Sequence, residues 1–220
     1  DDINSFSYVS ITGGKKAYYG AEAALKYKVN SAFDIKLLGT VSEAKNTNDA
    51  NVNYLNSTQG VYHEDKLLNK DMRESGTPLT AASAILSYHK KGWFIDLAGN
   101  YYDRIYLGYS PYYRYKSIGE KRGNVDSNGN VLRIPQDKGK GGFMLDASIG
   151  KSIYLKKGSL SINLMLTNVL NNQNIVTGGY EQSRSDFTAS GNARAYKFSR
   201  NPKKFYAYGT NGMLNITYKF

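Results

Sequence analysis

Cysteine is absent from the 220-residue chain, and proline occurs only four times. The lack of cysteine excludes a disulfide framework, a thiolate metal site and a cysteine nucleophile. No run of about 18 consecutive apolar residues occurs, which excludes a membrane-spanning helix. The only histidines are His63 and His89, and their spacing indicates no Ser-His-Asp arrangement. We therefore expect neither an enzyme nor a protein that requires a cofactor.

Aromatic residues and positive charge are both plentiful. The chain has 20 Tyr, 8 Phe and 1 Trp, which argues against disorder. Its 29 basic and 18 acidic residues give a net charge of +11, which fits nucleic acid, an anionic membrane surface or anionic ligands. No recognised nucleic-acid-binding module is present, so a nucleic-acid partner is not predicted. The chain opens with Asp1 and has no signal peptide, and we expect a processed chain or a fragment.

Apolar and polar residues alternate with a period of two, which predicts an all-β, antiparallel protein. About eight strands of roughly 9–14 residues are expected, longer than the five or six residues typical of soluble proteins. Strands of about 9–11 residues cross a bilayer at a tilt. Strict alternation occupies residues 21–29, 33–41, 93–102, 143–149, 160–167 and 213–220, with a weaker pattern at 82–88 and a strand-like stretch at 5–12.

The connections between these strands alternate between short and long. Short ones lie near Asn30, Lys91 and Lys157, and long ones span 43–78, 108–142 and 169–204, with a short turn at 13–16 as the exception. Loops of about 35 residues are uncommon in compact soluble domains. Outer-membrane barrels have short periplasmic turns and long outer loops, so the long connections are expected on the cell surface.

The alternation also predicts which face each side chain occupies. We expect one face to contact lipid and the other to face the lumen of a barrel. The lipid-facing set is Leu25, Ile35, Leu97, Leu145, Leu164 and Ile216, and the lumen-facing set is Lys26, Lys36, Asp96, Asp146, Asn163 and Lys219.

Two loop segments invite a functional interpretation. Asp126 begins a sequence similar to a calcium loop, but Val131 stands where that loop needs glycine, so a hairpin turn is predicted and no metal site. The run Tyr112, Tyr113, Arg114 and Tyr115 suits stacking on a sugar or contact with a protein lid. An interfacial aromatic girdle explains the same run equally well.

The second half of the chain contains several distinctive motifs: GFMLDASIGKS at 142–152, LSINL running into LTNVLNN at 160–172, TGGYEQSR at 177–184, and NPKKFYAYGTNG followed by LNITYKF at 201–220. These motifs resemble the C-terminal part of SusC-like TonB-dependent outer-membrane transporters. Residues 76–80 and 92–96, GTPLT and GWFID, resemble that family too, so the resemblance covers nearly the whole chain. It implies a transmembrane antiparallel β-barrel segment, residues 1–220 being about eight strands of a barrel of about 22, without the plug domain.

The resemblance implies nutrient uptake across the outer membrane of Bacteroidetes, with glycans or peptides as cargo. The implied partners are the remainder of the transporter polypeptide, a SusD-like surface lipoprotein, the TonB complex, and outer-membrane lipid and lipopolysaccharide. It also implies that the barrel-assembly machinery reads the C-terminal strand, with Tyr218 and Phe220 as the signal residues.

Two other functions remain open on the residues alone. A stand-alone eight-strand barrel with a structural or adhesive role would pair residues 3–12 with 205–220 and fill its interior with side chains. A hydrolase barrel would need a histidine-centred nucleophile, for which only His63 and His89 are available. In the transporter interpretation, the strands near 3–12 and 205–220 pair with strands outside this chain.

Overall fold

The computed structural model describes residues 7–56, 60–108, 110–121, 123–179 and 204–220. The fold is all-β with antiparallel sheets, as predicted. In chain order the elements are β1 (Ser7–Thr12), β2 (Lys16–Lys28), β3 (Phe33–Asn46), β4 (Ala50–Asn56), β5 (Val61–Leu67), β6 (Pro78–Lys90), β7 (Trp93–Ile105), a 3-10 turn (Pro111–Arg114), α1 (Lys116–Lys121), β8 (Gly142–Leu155), β9 (Gly158–Thr167), β10 (Val176–Gly179), β11 (Lys204–Tyr206) and β12 (Asn211–Lys219).

Seven long strands form one sheet in the order β12-β9-β8-β7-β6-β3-β2. They are 9 to 14 residues long and all neighbours are antiparallel, as the alternation predicts. Short connections join β2 to β3, β6 to β7 and β8 to β9 at one end of the strands, here called the turn end of the sheet. The long connections lie at the opposite end of the strands, here called the loop end.

The first predicted strand does not join this sheet. Residues 7–12 form β1, which pairs with β4 in a separate three-stranded sheet of order β1-β4-β5. The connection 43–78 was expected to be a loop, but it contains β4 and β5, and β3 extends to Asn46. Strand β4 alternates asparagine with Ala50, Val52 and Tyr54, and Val52 is fully buried. This short strand therefore has a buried apolar side although much of its sequence is polar.

The buried core lies at the loop end and not beneath the long strands. One cluster joins Met72, Leu107, Tyr113 and Val176. The other joins Ala50, Val52, Leu67, Tyr115 and Ile118. The three-stranded sheet, the 3-10 turn and α1 therefore form one packed body, here called the loop-end assembly. In the described part of the chain, no helix is long and apolar enough to cross a membrane.

Strands β10 and β11 pair with each other within the third long connection. Most of that connection, and part of the motif at 177–184, lies at 180–203 and outside the described residues.

The seven-stranded sheet is open, with β2 and β12 as its edges. Within the described ranges, residues 7–12 form no ladder with residues 204–220, the pairing that a small closed barrel of this chain alone requires.

Candidate functional site

The seven-stranded sheet has two chemically different faces, and the register confirms the predicted division of side chains between them. In one row across the sheet, Tyr27 pairs with Ile35, Ile35 with Leu86, Leu86 with Leu97 and Leu97 with Ala147. The same side, here called the apolar face, contains the predicted set Leu25, Ile35, Leu97, Leu145, Leu164 and Ile216. The opposite polar face contains Lys26, Lys36, Asp96, Asp146, Asn163 and Lys219.

The apolar face is exposed across its whole width. Leu25 and Ile216, on the two edge strands, are each 62% exposed, and Leu97 at the centre is 42% exposed. Isolated exposed leucines are ordinary, but a continuous apolar surface larger than a few hundred Å² marks an interaction with a partner or a membrane.

Hydrogen bonds between side chains cross the polar face from strand to strand. Ser83 Oγ lies 2.7 Å from Asn100 Oδ1, and Asn100 Nδ2 donates to Asp146 Oδ2 at 2.8 Å. Ser148 Oγ continues the series by donating to Asn163 Oδ1 at 3.0 Å. This network joins β6, β7, β8 and β9 through groups that water can also satisfy, so the polar face suits a hydrated space.

The turns at the turn end are stepped along the strand direction. Asp34, at the end of the β2–β3 ladder, is level with Ser87, and β6 runs three residues further to Lys90. Trp93 is level with Lys151, and β8 runs four residues further to Leu155. Successive hairpin ends are therefore offset by three or four residues over two strand spacings. At about 3.4 Å per residue and about 4.8 Å between strands, a line that joins the hairpin ends is inclined by roughly 45–55° to the perpendicular of the strands. Strands of membrane barrels tilt by about 45°.

Ion pairs connect the segment that follows β5 to the loop ends of the long strands β3 and β7. The Glu43 carboxylate of β3 binds both Arg73 and Arg104, and Arg73 Nε lies 2.5 Å from its Oε1. The Arg73 guanidinium also stacks 4.7 Å from the centre of the Tyr106 ring. Arg104 stands in the left-handed region at φ 54° and donates to the carbonyl of Ser42.

A polar cavity of about 170 Å³ lies beside Arg73 at the loop end of the sheet. Its walls include the cations Lys16, Arg73 and Arg114 and the carboxylate Glu74, which pairs with Lys16 at 2.8 Å. Arg114, a member of the predicted 112–115 site, lines this small charged space.

The tyrosines of that site have different surroundings from those expected. Tyr113 and Tyr115 are 8% and 4% exposed and belong to the two buried clusters, so their rings pack the loop-end assembly and are not available for stacking on a sugar. Tyr112 is half-buried, with its ring 5.6 Å from Tyr113 and 5.7 Å from Tyr115. The sequence predicts a ligand or lid contact or an interfacial girdle for this run, and it does not predict the burial of Tyr113 and Tyr115, because that burial depends on residues from other segments.

The predicted hairpin turn at Asp126 is confirmed. Asp126 N donates to Asn130 O, and the Asp126 carboxylate accepts the backbone N–H groups of Asn128 and Asn130. These hydrogen bonds hold the pKa of Asp126 below its usual value. Among the described residues, no group of three His, Cys, Asp or Glu side chains is placed to hold a metal ion. His63 stacks on Tyr54, and His89 lies 3.8 Å from Asp34.

The proposed assembly-signal residues lie at the free end of edge strand β12. Tyr218 Oη donates to the carbonyl of Lys157 at 2.7 Å, which ties β12 to the β8–β9 turn. Phe220 is fully exposed, with its ring 6.1 Å from that of Tyr218.

Comparison of the chain with protein-family models, with curated proteins and with solved structures found no match.

Proposed function

We propose that this chain forms part of the wall of a bacterial outer-membrane β-barrel that imports nutrients, a SusC-like TonB-dependent transporter. The observation that carries the proposal is the exposed apolar face of the seven-stranded sheet, backed by a polar, hydrogen-bonded face. In a barrel wall, the first contacts lipid and the second lines the interior.

Strand length and tilt support the same placement. A bilayer core of about 30 Å is crossed by about 9–11 tilted residues, and the long strands have 9 to 14. The stepped turns bring all three hairpin ends to one level only if the strands tilt by roughly 45–55°. A soluble sheet packed on another layer would bury this apolar face, and the loop-end clusters do not cover it.

The open edges explain why further polypeptide is needed. Backbone groups at an edge in hydrocarbon cost several kcal/mol each when they have no hydrogen-bond partner, so β2 and β12 need neighbouring strands. Seven long strands are about a third of the roughly 22 that enclose a plugged transporter. The remaining strands and the plug would come from the rest of the transporter polypeptide.

In this arrangement the loop-end assembly lies on the cell surface and the turn end faces the periplasm. A surface lipoprotein of the SusD type would cover the loop-end assembly, and the TonB complex would act on the plug. The connection 108–142 has seven basic and three acidic residues, and its cations would also meet lipopolysaccharide phosphates. The cargo, glycan or peptide, would pass along the polar face.

Purification from the native membrane tests the proposal. An affinity tag is inserted at Gly129, in the exposed hairpin turn. After detergent extraction, further barrel polypeptide, a lipoprotein and outer-membrane lipid should co-purify with the tagged chain. Recovery from the soluble fraction, without detergent and without a larger polypeptide, would contradict it.

A further inference from the structure

Three side chains form a row on the apolar face at the turn end. Lys90 of β6 pairs with Trp93 of β7, and Trp93 pairs with Lys151 of β8. Neighbouring strands are about 4.8 Å apart, so the indole stands between two lysine stems whose backbones are about 10 Å apart. Trp93 is 43% exposed, and it is the only tryptophan of the chain.

The row is held by a tight and rigid turn. Lys151 Nζ lies 4.8 Å from the centre of the Trp93 ring and donates to the carbonyl of Lys91 at 2.7 Å. Gly92 adopts φ 79°, and a Cβ there would stand 2.4 Å from the carbonyl oxygen of Ser152. The turn is therefore packed against β8, and the ammonium of Lys151 is fixed before any ligand binds.

The turn end as a whole is strongly basic. Residues 26–36, 86–97, 149–160 and 217–219 contain only two carboxylate side chains, Asp34 and Asp96, and both lie on the polar face. Asp96 accepts a hydrogen bond from Ser87, and Asp34 faces Lys26 and His89. The same stretches contain nine lysines: Lys26, Lys28, Lys36, Lys90, Lys91, Lys151, Lys156, Lys157 and Lys219.

We infer that Lys90, Trp93 and Lys151 form a binding site for the phosphate headgroup of an anionic phospholipid in the periplasm-facing leaflet. The inference rests on the proposed function, because it requires the apolar face to contact lipid. Lys90 offers three donors to phosphate oxygens, and Lys151 offers the two that it does not give to the Lys91 carbonyl. Among the described residues, no carboxylate on the apolar face at the turn end competes for them. The indole occupies the depth at which tryptophan anchors proteins to a headgroup layer.

The surroundings of the row favour a lipid over a soluble anion. The next row toward the sheet centre is Tyr88, Ile95 and Ile149, all on the apolar face and suited to acyl chains. A ligand that binds both rows needs an anionic head and an apolar tail, which is the chemistry of a phospholipid. The nearby basic turns with Lys91 and Lys157 add an attractive potential.

Fluorescence quenching of Trp93 tests the inference in the reconstituted protein. Two sets of vesicles contain the same mixture of phosphatidylglycerol and phosphatidylcholine, with bromine on the acyl chains of one lipid or the other. The fluorescence of Trp93 is obtained as the difference between the unaltered protein and a Trp93→Phe variant. This subtraction removes the fluorescence of any tryptophan in the rest of the transporter polypeptide. The quenching should correspond to at least about a fivefold enrichment of phosphatidylglycerol over phosphatidylcholine beside Trp93. This ratio is the one expected from a single lysine near a membrane surface.

The lysine variants decide where the preference originates. K90Q combined with K151Q should equalise quenching by the two lipids, while brominated phosphatidylcholine still quenches, which shows that the variant is folded and in the bilayer. K66Q combined with K70Q, at the loop end, removes the same charge and should leave the preference unchanged.

The remaining outcomes separate the two proposals. Equal quenching by both lipids in the unaltered protein, or a preference that survives K90Q and K151Q, would overturn the headgroup site and leave the membrane wall intact. Absence of quenching by either lipid would mean that Trp93 does not face lipid, and both proposals would then fail.

Discussion

Arg133 binds Asp49 through two parallel hydrogen bonds, Nη1 to Oδ1 and Nη2 to Oδ2, each 2.6 Å long. The two residues are 84 positions apart and belong to different long connections. Asp49 also accepts the backbone N–H groups of Asn69 and Lys70. One carboxylate thus holds together the segment before β4, the segment after β5 and the connection before β8.

This carboxylate predicts a pH dependence of the loop-end assembly. The hydrogen bonds from Arg133 lower the pKa of Asp49 from 3.8 to about 2. Because the folded pKa lies below the unfolded one, the stabilisation is complete above about pH 4 and is lost as the pH falls toward 2. Since Arg133 is half-exposed, we expect Asp49→Asn to cost only about 1 kcal/mol of local stability at pH 7.

Amide hydrogen exchange at Asn69 and Lys70 measures this effect, because both donate to Asp49. Protection should be lower in Asp49→Asn than in the unaltered protein at pH 7, and the two should converge near pH 2. Glu64→Gln, an exposed change in the same sheet, is the matched control and should exchange like the unaltered protein. A difference that persists undiminished at pH 2 would show that the carboxylate charge is not the cause.

Leu164→Arg and Asn163→Arg should differ strongly in their cost to the membrane-inserted protein. Leu164 stands between Ile149 and Leu214 on the apolar face, and Asn163 stands between Gly150 and Asn215 on the polar face. Arginine near the bilayer midplane on the lipid side costs roughly 2–4 kcal/mol, and on the lumen side much less. Denaturant unfolding in lipid vesicles measures both free energies, and equal costs would contradict the assignment of the faces.

Gly92→Ala should destabilise the β6–β7 hairpin more than Gly129→Ala destabilises its own turn. The two glycines have nearly the same φ, 79° and 80°, so the backbone strain of about 1–2 kcal/mol is common to both. Only at Gly92 would the new Cβ also collide with the carbonyl oxygen of Ser152, whereas nothing lies within 4 Å at Gly129. We expect a larger loss of folding yield and a lower midpoint of unfolding for Gly92→Ala than for Gly129→Ala; matching losses would mean that the collision is relieved without cost.

Deletion of Phe220 should reduce the amount of protein assembled in the outer membrane without lowering the melting temperature of what does assemble. The side chain is fully exposed, so its removal takes away little packing, whereas Tyr218 remains bonded to the Lys157 carbonyl. An exposed terminal strand offers backbone hydrogen bonds and alternating side chains to a recognition surface. Quantitative immunoblots and melting curves on the same preparations separate the roles, and normal assembly with a lowered melting temperature would assign Phe220 to packing.

The long strands could be predicted from the sequence because 7 to 10 residues of strict alternation have few other interpretations. Leu25, Ile35 and Leu97 therefore fell on the correct side of the sheet. The same rule missed β4 and β5, where asparagines and charged residues interrupt a short pattern whose apolar side packs against α1, Tyr112 and Tyr115.

The contacts of the loop-end assembly and of the neighbouring Glu43 ion pairs could not be predicted from the sequence, because they join distant parts of the chain. Glu43 and Arg104 are 61 positions apart, and neither lies in a local motif. The burial of Tyr113 and Tyr115 likewise depends on partners, Met72 and Val52 among them, that come from another connection. Sequence indicated that these tyrosines matter, but only the fold distinguishes packing from ligand contact.

Cysteine accessibility in intact outer membranes tests the central claim most directly, since the chain has no cysteine of its own. Lys36 and Leu37 are adjacent in β3 and lie on opposite faces of the sheet. A small, charged, membrane-impermeant methanethiosulfonate reagent should modify Lys36→Cys at least about tenfold faster than Leu37→Cys, because a thiol in hydrocarbon is not ionised and does not meet the reagent. Equal modification of Leu37→Cys and Lys36→Cys would show that the apolar face is not against lipid and would contradict the account.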